Sequence, residues 1–232
     1  MKRGRRLVIG DIHGCIRTFR KMVEEKMKLT RSDTLFLLGD YIDRGPDSKG
    51  VIDYIISLQK RSYRVVPLMG NHEIMFITAV HSNAFFDLWM LNNGNTTLRD
   101  FGIYDQTSFR VMKKIPVTYL DYVSGLRYWE ETHGFVLVHA GLDPYAEDPL
   151  RNSDFLLWDR TGSINERFLG DRTLIHGHTP RPLGEIWYEV NNHRSKCICL
   201  DGGCVYNHHP SLGNLTGLDL DTRELYHCKN VE

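Results

Sequence analysis

Five short apolar runs in this chain each end in a glycine-flanked residue able to bind a metal ion, and that recurrence restricts the fold more than any other feature. The runs lead into Gly10-Asp11-Ile12-His13-Gly14, Gly39-Asp40, Gly70-Asn71-His72, His139-Ala140-Gly141 and His176-Gly177-His178. Up to about residue 80, runs of this kind alternate with helical patterns. Residues 7–9 precede an amphipathic stretch with Ile16, Phe19, Met22, Val23 and Met27 on one face. Residues 34–38 precede one carrying Val51, Ile52, Ile55 and Ile56, and residues 65–69 precede an apolar helix running from Glu73 to about Val80. A βαβαβα order predicts a parallel sheet with right-handed crossovers. Ligand sites in such sheets lie beyond the carboxyl ends of the strands, so the five loops are expected to converge on one crevice.

Residues 81–121 are helical and aromatic (Phe85, Phe86, Leu88, Trp89, Leu91), broken at Asn92, Asn93 and Gly94, and read as a helical insert. Strand-like runs follow at 134–138, 173–175, 185–190, 197–200, 215–220 and 225–228; the last two, joined through Asp221 and Thr222, read as a hairpin. The second half is therefore expected to be mostly β. The predicted class is α/β: two sheets packed face to face with helices over their outer faces. With no Ser/Gly/Pro-rich linker and no internal repeat, one domain over residues 1–232 is the simplest organisation.

Lys plus Arg and Asp plus Glu both number 29, so no net field gathers nucleic acid or an anionic membrane, and any bound anion needs a local site. No apolar run approaches the ~20 residues of a membrane helix. Lys2, Arg3, Arg5 and Arg6 precede only the apolar residues 7–9, fewer than the ~7 to 15 of a secretion signal, so a cytoplasmic location is expected. The five cysteines form no C-x-x-C pair and suit reduced thiols; Cys197, Cys199 and Cys204 read as small apolar strand residues and not as a zinc site.

Taken singly, an Asp or His in a glycine-flanked loop is a turn residue. Five such loops, each directly after a strand, are not explained by turn chemistry. Carboxylate, imidazole and amide without thiolate suit divalent manganese, iron or zinc. Six side chains exceed what one ion can take while also binding substrate. Two ions are more economical: Asp11 and His13 on the first, Asn71, His139 and His178 on the second, with Asp40 bridging. Such a site stays net positive, as an anionic phosphoryl substrate requires.

The stretches GDIHG (10–14), GDYIDRG (39–45), GNHE (70–73), HAG (139–141) and GHT (177–179) resemble the ordered motif set of the phosphoprotein phosphatase family of metallophosphoesterases. WMLNNGNTTLRDFG (89–102), LWDR (157–160) and LDGGCVY (200–206) further resemble its bacterial branch, although relatives usually read DTG at the last of these. The resemblance implies a sandwich of two mixed sheets flanked by helices, a dimetal centre with manganese first among its ions, and phosphomonoester hydrolysis by a metal-bridging hydroxide. It makes His72 the general acid, Asp43 its orienting partner, and Arg44, Arg160 and Asn71 contacts for the phosphoryl group. The implied substrates are phosphoserine, phosphothreonine or phosphotyrosine in proteins, with neither nucleic acid nor membrane as partner. Symmetrical diadenosine tetraphosphate hydrolases share the scaffold but commonly lack a carboxylate matching Asp43, and a catalytically silent scaffold would have lost ligands that this chain keeps.

Several residues keep two readings. Asp43 and Arg44 could pair with each other at a surface turn, and Arg160 could be a structural cation. His176 could support the ligands or simply pack. Glu73 suits either a helix start or a substrate contact. Cys15 reads as a buried thiol, or as one whose oxidation would inhibit. His193, His208 and His209 read as solvated.

Overall fold

The computed structural model describes residues 4–232; Lys2 and Arg3, part of the N-terminal basic run, lie outside the described residues. The first three strands, β1 (Arg6–Ile9), β2 (Thr34–Leu37) and β3 (Arg64–Pro67), pair in parallel. β1 and β2 are covered on both faces, which is why they read as unbroken apolar runs instead of alternating. Helix α1 (Ile16–Lys21), prolonged by a π turn over Met22–Lys26, and helix α2 (Ser48–Lys60) make the crossovers. Asp47 caps α2 by accepting the Gly50 N–H at 2.7 Å. Helix α3 (Asn71–Thr78) starts at Asn71, two residues earlier than the sequence suggests.

The insert is helical as expected: α4 (Asn83–Leu91), α5 (Gly94–Asp100), a 3₁₀ turn over Phe109–Lys114 and α6 (Val117–Ser124). Asn93, at φ 69°, supplies the left-handed break between α4 and α5. There follow β4 (Trp129–Thr132), β5 (Phe135–Val138), α7 (Ser153–Trp158), α8 (Glu166–Leu169), β6 (Thr173–His176), α9 (Leu183–Asn191), β7 (Cys197–Cys199), β8 (Asn214–Asp219) and β9 (Leu225–Lys229).

The strand order is β3-β2-β1-β8-β9 in one sheet and β4-β5-β6-β7 in the other, both mixed. Val8, Phe36 and Leu218 from the first meet Leu137, Ile175 and Ile198 from the second in a buried layer between them. Leu7 and Ile9, one residue out of step with Val8, point instead into the helical layer with Phe19, Ile52 and Ile55. Each such side chain contributes about 1.5–3 kcal/mol by leaving water. A third cluster, Val136, Val138, Leu156 and Leu169, packs α7 and α8 on the outer face of the second sheet.

Residues 185–190, expected as a strand, are instead part of α9. Their β-branched and aromatic content mimics a strand, but the buried positions are Ile186 and Val190, one helical turn apart, while Trp187 and Tyr188 are exposed. Topology demands the helix, because β6 and β7 are parallel and need a crossover. The second half is accordingly not mostly β: α7, α8 and α9 lie within it, and β4 was not anticipated. The β8–β9 hairpin forms as expected. Among the described residues no helix is long and apolar enough to cross a membrane.

Candidate metal centre

The ends of β1, β2, β5 and β6 and the start of α3 bring Asp11, His13, Asp40, Asn71, His72, His139 and His178 into one buried cluster. Two groups able to hold an ion, His13–Asp40–His72 and Asp40–His139–His178, share Asp40. Its carboxylate is divided between them: Oδ2 lies 3.4 Å from His13 Nε2, and Oδ1 lies 3.4 Å from His139 Nε2. The ring tautomers follow from their other contacts. His13 Nδ1 faces the Ile42 carbonyl at 2.8 Å and His139 Nδ1 the Leu38 carbonyl at 2.9 Å. A carbonyl only accepts, so each Nδ1 carries the proton and each Nε2 lone pair points into the cluster.

Around the second group the acceptors crowd. Asn71 Oδ1 is 2.9 Å from His139 Nε2 and 3.1 Å from His178 Nδ1, and the two ring nitrogens are 3.1 Å apart. Turning the amide end for end would place an NH₂ among Asp40, His139 and His178, but its two protons cannot serve all these acceptors. A cation serves them all with the oxygen where it stands, and that is the physical reason these side chains fit a metal ion. Burial also pushes the imidazoles below their ordinary range, His178 to about 3, which keeps them neutral as ligation requires.

Asp11 accepts the His178 backbone N–H at 3.1 Å. Burial and the charges of Asp201 and Asp40 push it well above the usual carboxylate range. Asp201 is pushed to about 7 by burial, with Asp40 adding to the rise. Buried carboxylates packed this closely call for positive charge between them. Sequence reasoning assigned Asp201 no role, although the signal was present: the run 197–200 ends in Asp201-Gly202-Gly203, the same strand-to-polar-glycine pattern as the other loops.

Of its two readings, Glu73 takes the helix start: it sits in the first turn of α3 and its side chain accepts from the N-cap residue Gly70. Fully buried, it accepts the N–H groups of Asp40 (2.8 Å), Tyr41 (2.9 Å) and Gly70 (3.0 Å), tying the β2 loop to the start of α3. Gly14 and Gly39 have positive φ, and so do His13, Asp40, Asp43, Arg44 and His178, at φ 46–69°. Non-glycine residues held there cost roughly 1–3 kcal/mol each, strain that the surrounding hydrogen bonds must hold. Gly70 serves by close approach: a Cβ would strike Asp40 and Glu73.

Asp43 is wholly buried and does not pair with Arg44. Its Oδ2 accepts from His72 Nδ1 at 2.7 Å and from Trp89 Nε1 at 2.8 Å, and its Oδ1 from Thr97 Oγ1 at 2.6 Å. Trp89 and Thr97 come from α4 and α5, so the insert buttresses the site from behind, a role not read from sequence. His72 Nε2 is buried without a partner and sits 4.0 Å from Asp40 Oδ2. Arg44 Nη1 lies 2.5 Å from His13 Nε2, with its guanidinium over the Tyr206 ring. Arg160 is exposed, close enough for its charge to act on His178 and Asp201. His176 closes β6, buried, with Nδ1 3.1 Å from the Gly177 carbonyl. Cys15 is buried.

The sequence profile of the calcineurin-like phosphoesterases matches residues 4–220. Serine/threonine-protein phosphatase 1 of Salmonella typhimurium is 30% identical over 180 residues, 75% of this chain and 77% of that protein. The symmetrical bis(5'-nucleosyl)-tetraphosphatase of Buchnera aphidicola is 43% identical over 74 residues, 32% of this chain and 26% of that protein. Among solved structures, a serine/threonine phosphatase from Saccharomyces cerevisiae superposes with a TM-score of 0.69 at 17% identity, over 99% of this chain and 81% of that one.

Proposed function

The chain belongs to the calcineurin-like phosphoesterase family, a family of hydrolases with dinuclear metal centres, and from that premise we propose that it is a serine/threonine protein phosphatase, with phosphotyrosine a further substrate. Asp11, His13 and Asp40 would hold one ion and Asp40, Asn71, His139 and His178 the other, with manganese the first choice and iron or zinc competent. Bound there, a pair of dications supplies Lewis-acid charge and an acidified water for attack on phosphorus. The side chains do the rest. Arg44 and Arg160 grip phosphoryl oxygens, and Asn71 borders them. Asp43 holds the His72 ring so that Nε2 delivers a proton to the leaving oxygen. We place the substrate among phosphorylated proteins or peptides of the cytoplasm, and not among nucleic acids or membranes, in keeping with the balanced charge of 29 against 29.

One observation carries this reading: the buried His72–Asp43 pair at 2.7 Å, which leaves Nε2 free toward the centre. A serine alkoxide leaves poorly unless protonated, whereas p-nitrophenolate leaves without help. His72→Asn should therefore lower kcat on a phosphoserine peptide by roughly 10²–10⁴ and on p-nitrophenyl phosphate far less, with metal content unchanged. Equal losses on the two substrates, or none, would remove His72 from the role of acid.

The second reading is symmetrical diadenosine tetraphosphate hydrolysis, favoured by the 43% identity of one 74-residue segment to such an enzyme. Steady-state kcat/KM for phosphopeptides and for diadenosine tetraphosphate, measured on the same manganese-loaded preparation, decides between the two.

A further inference from the structure

Beside the metal centre stands one cationic side chain with no part in the chemistry above: Arg99, on the insert. Arg44, Gly45, Pro46, Thr96, Arg99 and Asp100 line a hollow of about 370 Å³. Arg44 belongs both to this hollow and to the metal centre, through its 2.5 Å approach to His13. Arg99 is exposed, and its guanidinium has no hydrogen-bond or ion-pair partner among the described residues. Helix α5 cannot drift from the centre: Thr97, two residues before Arg99, donates to Asp43 at 2.6 Å, and Asp100 accepts the Ser48 N–H at 2.6 Å. The one carboxylate on the wall, Asp100, is thus turned toward the start of α2, where the helix dipole favours it. What remains for a ligand is an unpaired guanidinium on a fixed helix, beside a second one.

We propose that Arg99, across the hollow from the phosphate-binding Arg44, forms an anion subsite next to the phosphoryl site, selecting peptides in which a carboxylate side chain neighbours the phosphorylated residue. This rests on the protein phosphatase reading above. A guanidinium presents a planar fork that matches a carboxylate, which a hydroxyl or amide on the peptide cannot exploit. Arg99 is open to solvent, so the preference is modest and falls with salt.

The test is the ratio of kcat/KM for an acidic phosphoserine peptide to that for its neutral Gln/Asn counterpart, taken within each variant so that losses common to both peptides cancel. The wild type should favour the acidic peptide roughly three- to tenfold at low ionic strength, Arg99→Gln should bring the ratio near one, and Arg99→Glu should reverse it. A wild-type ratio near one, or a ratio unchanged in Arg99→Gln, overturns the subsite while leaving peptide hydrolysis standing. If phosphopeptides are not hydrolysed and diadenosine tetraphosphate is, the phosphatase reading fails first and the subsite with it.

Discussion

The two sides of Asp40 are both lined by histidines yet are not equivalent. On the Asn71–His139–His178 side, Asn71 Oδ1, His139 Nε2 and His178 Nδ1 face one another at 2.9–3.1 Å, and neither one ring proton on His178 nor a turned Asn71 amide can serve all of these acceptors together with Asp40, whereas a cation can. On the His13 side, Arg44 already reaches His13 Nε2, and the unpartnered atom is His72 Nε2, 4.0 Å from the carboxylate. Under the proposed function the first arrangement would serve an ion alone, whereas the second would also carry groups that bind phosphate or hold a proton. A site whose ligands lack internal partners should bind metal more tightly than one whose ligand has an arginine to displace.

The largest effect expected is that of removing what the two sides share. Asp40→Asn should lower kcat on p-nitrophenyl phosphate by roughly 10³ or more, since several kcal/mol of charge stabilisation are lost and each tenfold in rate is about 1.36 kcal/mol. Elemental analysis of the same preparation should show metal lost from both sides; full occupancy would mean that Asp40 does not bridge. Asp43→Asn touches only the catalytic side. It should cost roughly 10- to 100-fold in kcat while both ions stay bound, and Trp89→Phe, which removes one of its hydrogen bonds, less. Loss of metal in Asp43→Asn would erase the distinction between the two sides.

Calorimetric titration with manganese should resolve two affinities separated by about tenfold or more. The weaker step should vanish in His13→Ala and the tighter in His139→Ala, and a single affinity would show the two sides to be alike. The smallest effect lies outside both. Asp33, paired with Arg5 at 2.8 Å and bonded by Thr30, has its carboxyl drawn down to about 2 from 3.8, although burial alone would raise it. The unfolded chain takes up this proton at higher pH than the folded one. The stabilisation is therefore complete above about pH 4 and is lost as the pH falls through about 2. It amounts to about 1 kcal/mol because Arg5 is partly solvated, and comparing acid unfolding of wild type and Asp33→Asn measures it.

Much of the centre could be read without coordinates because its residues come from loops that directly follow strands. Backbone pairing fixes where a strand ends, so a run such as 34–37 followed by Gly39-Asp40 carries its own address. The same rule, applied once more, would have found Asp201. Reading failed where local preference and topology disagree. Residues 185–190 have strand-like composition, but the parallel β6–β7 pairing makes them a helix, and the pairing is a relation between distant segments. The left-handed backbone at Asp40, Asp43 and His178 was likewise hidden, because contacts such as those from Glu73 hold it and no local preference signals it.

The order of elements, the ligand types and their placement after strands were determined by the chain itself, since periodicity and strand termination are local properties. That Asp40 turns one oxygen to each side, that Trp89 and Thr97 grip Asp43 from 46 and 54 residues away, and that Arg99 stands beside Arg44 were decided only by tertiary packing. Hydrogen bonds of a few ångströms depend on how sheets and helices dock, and that geometry is a sum over the whole core which no short stretch of sequence contains.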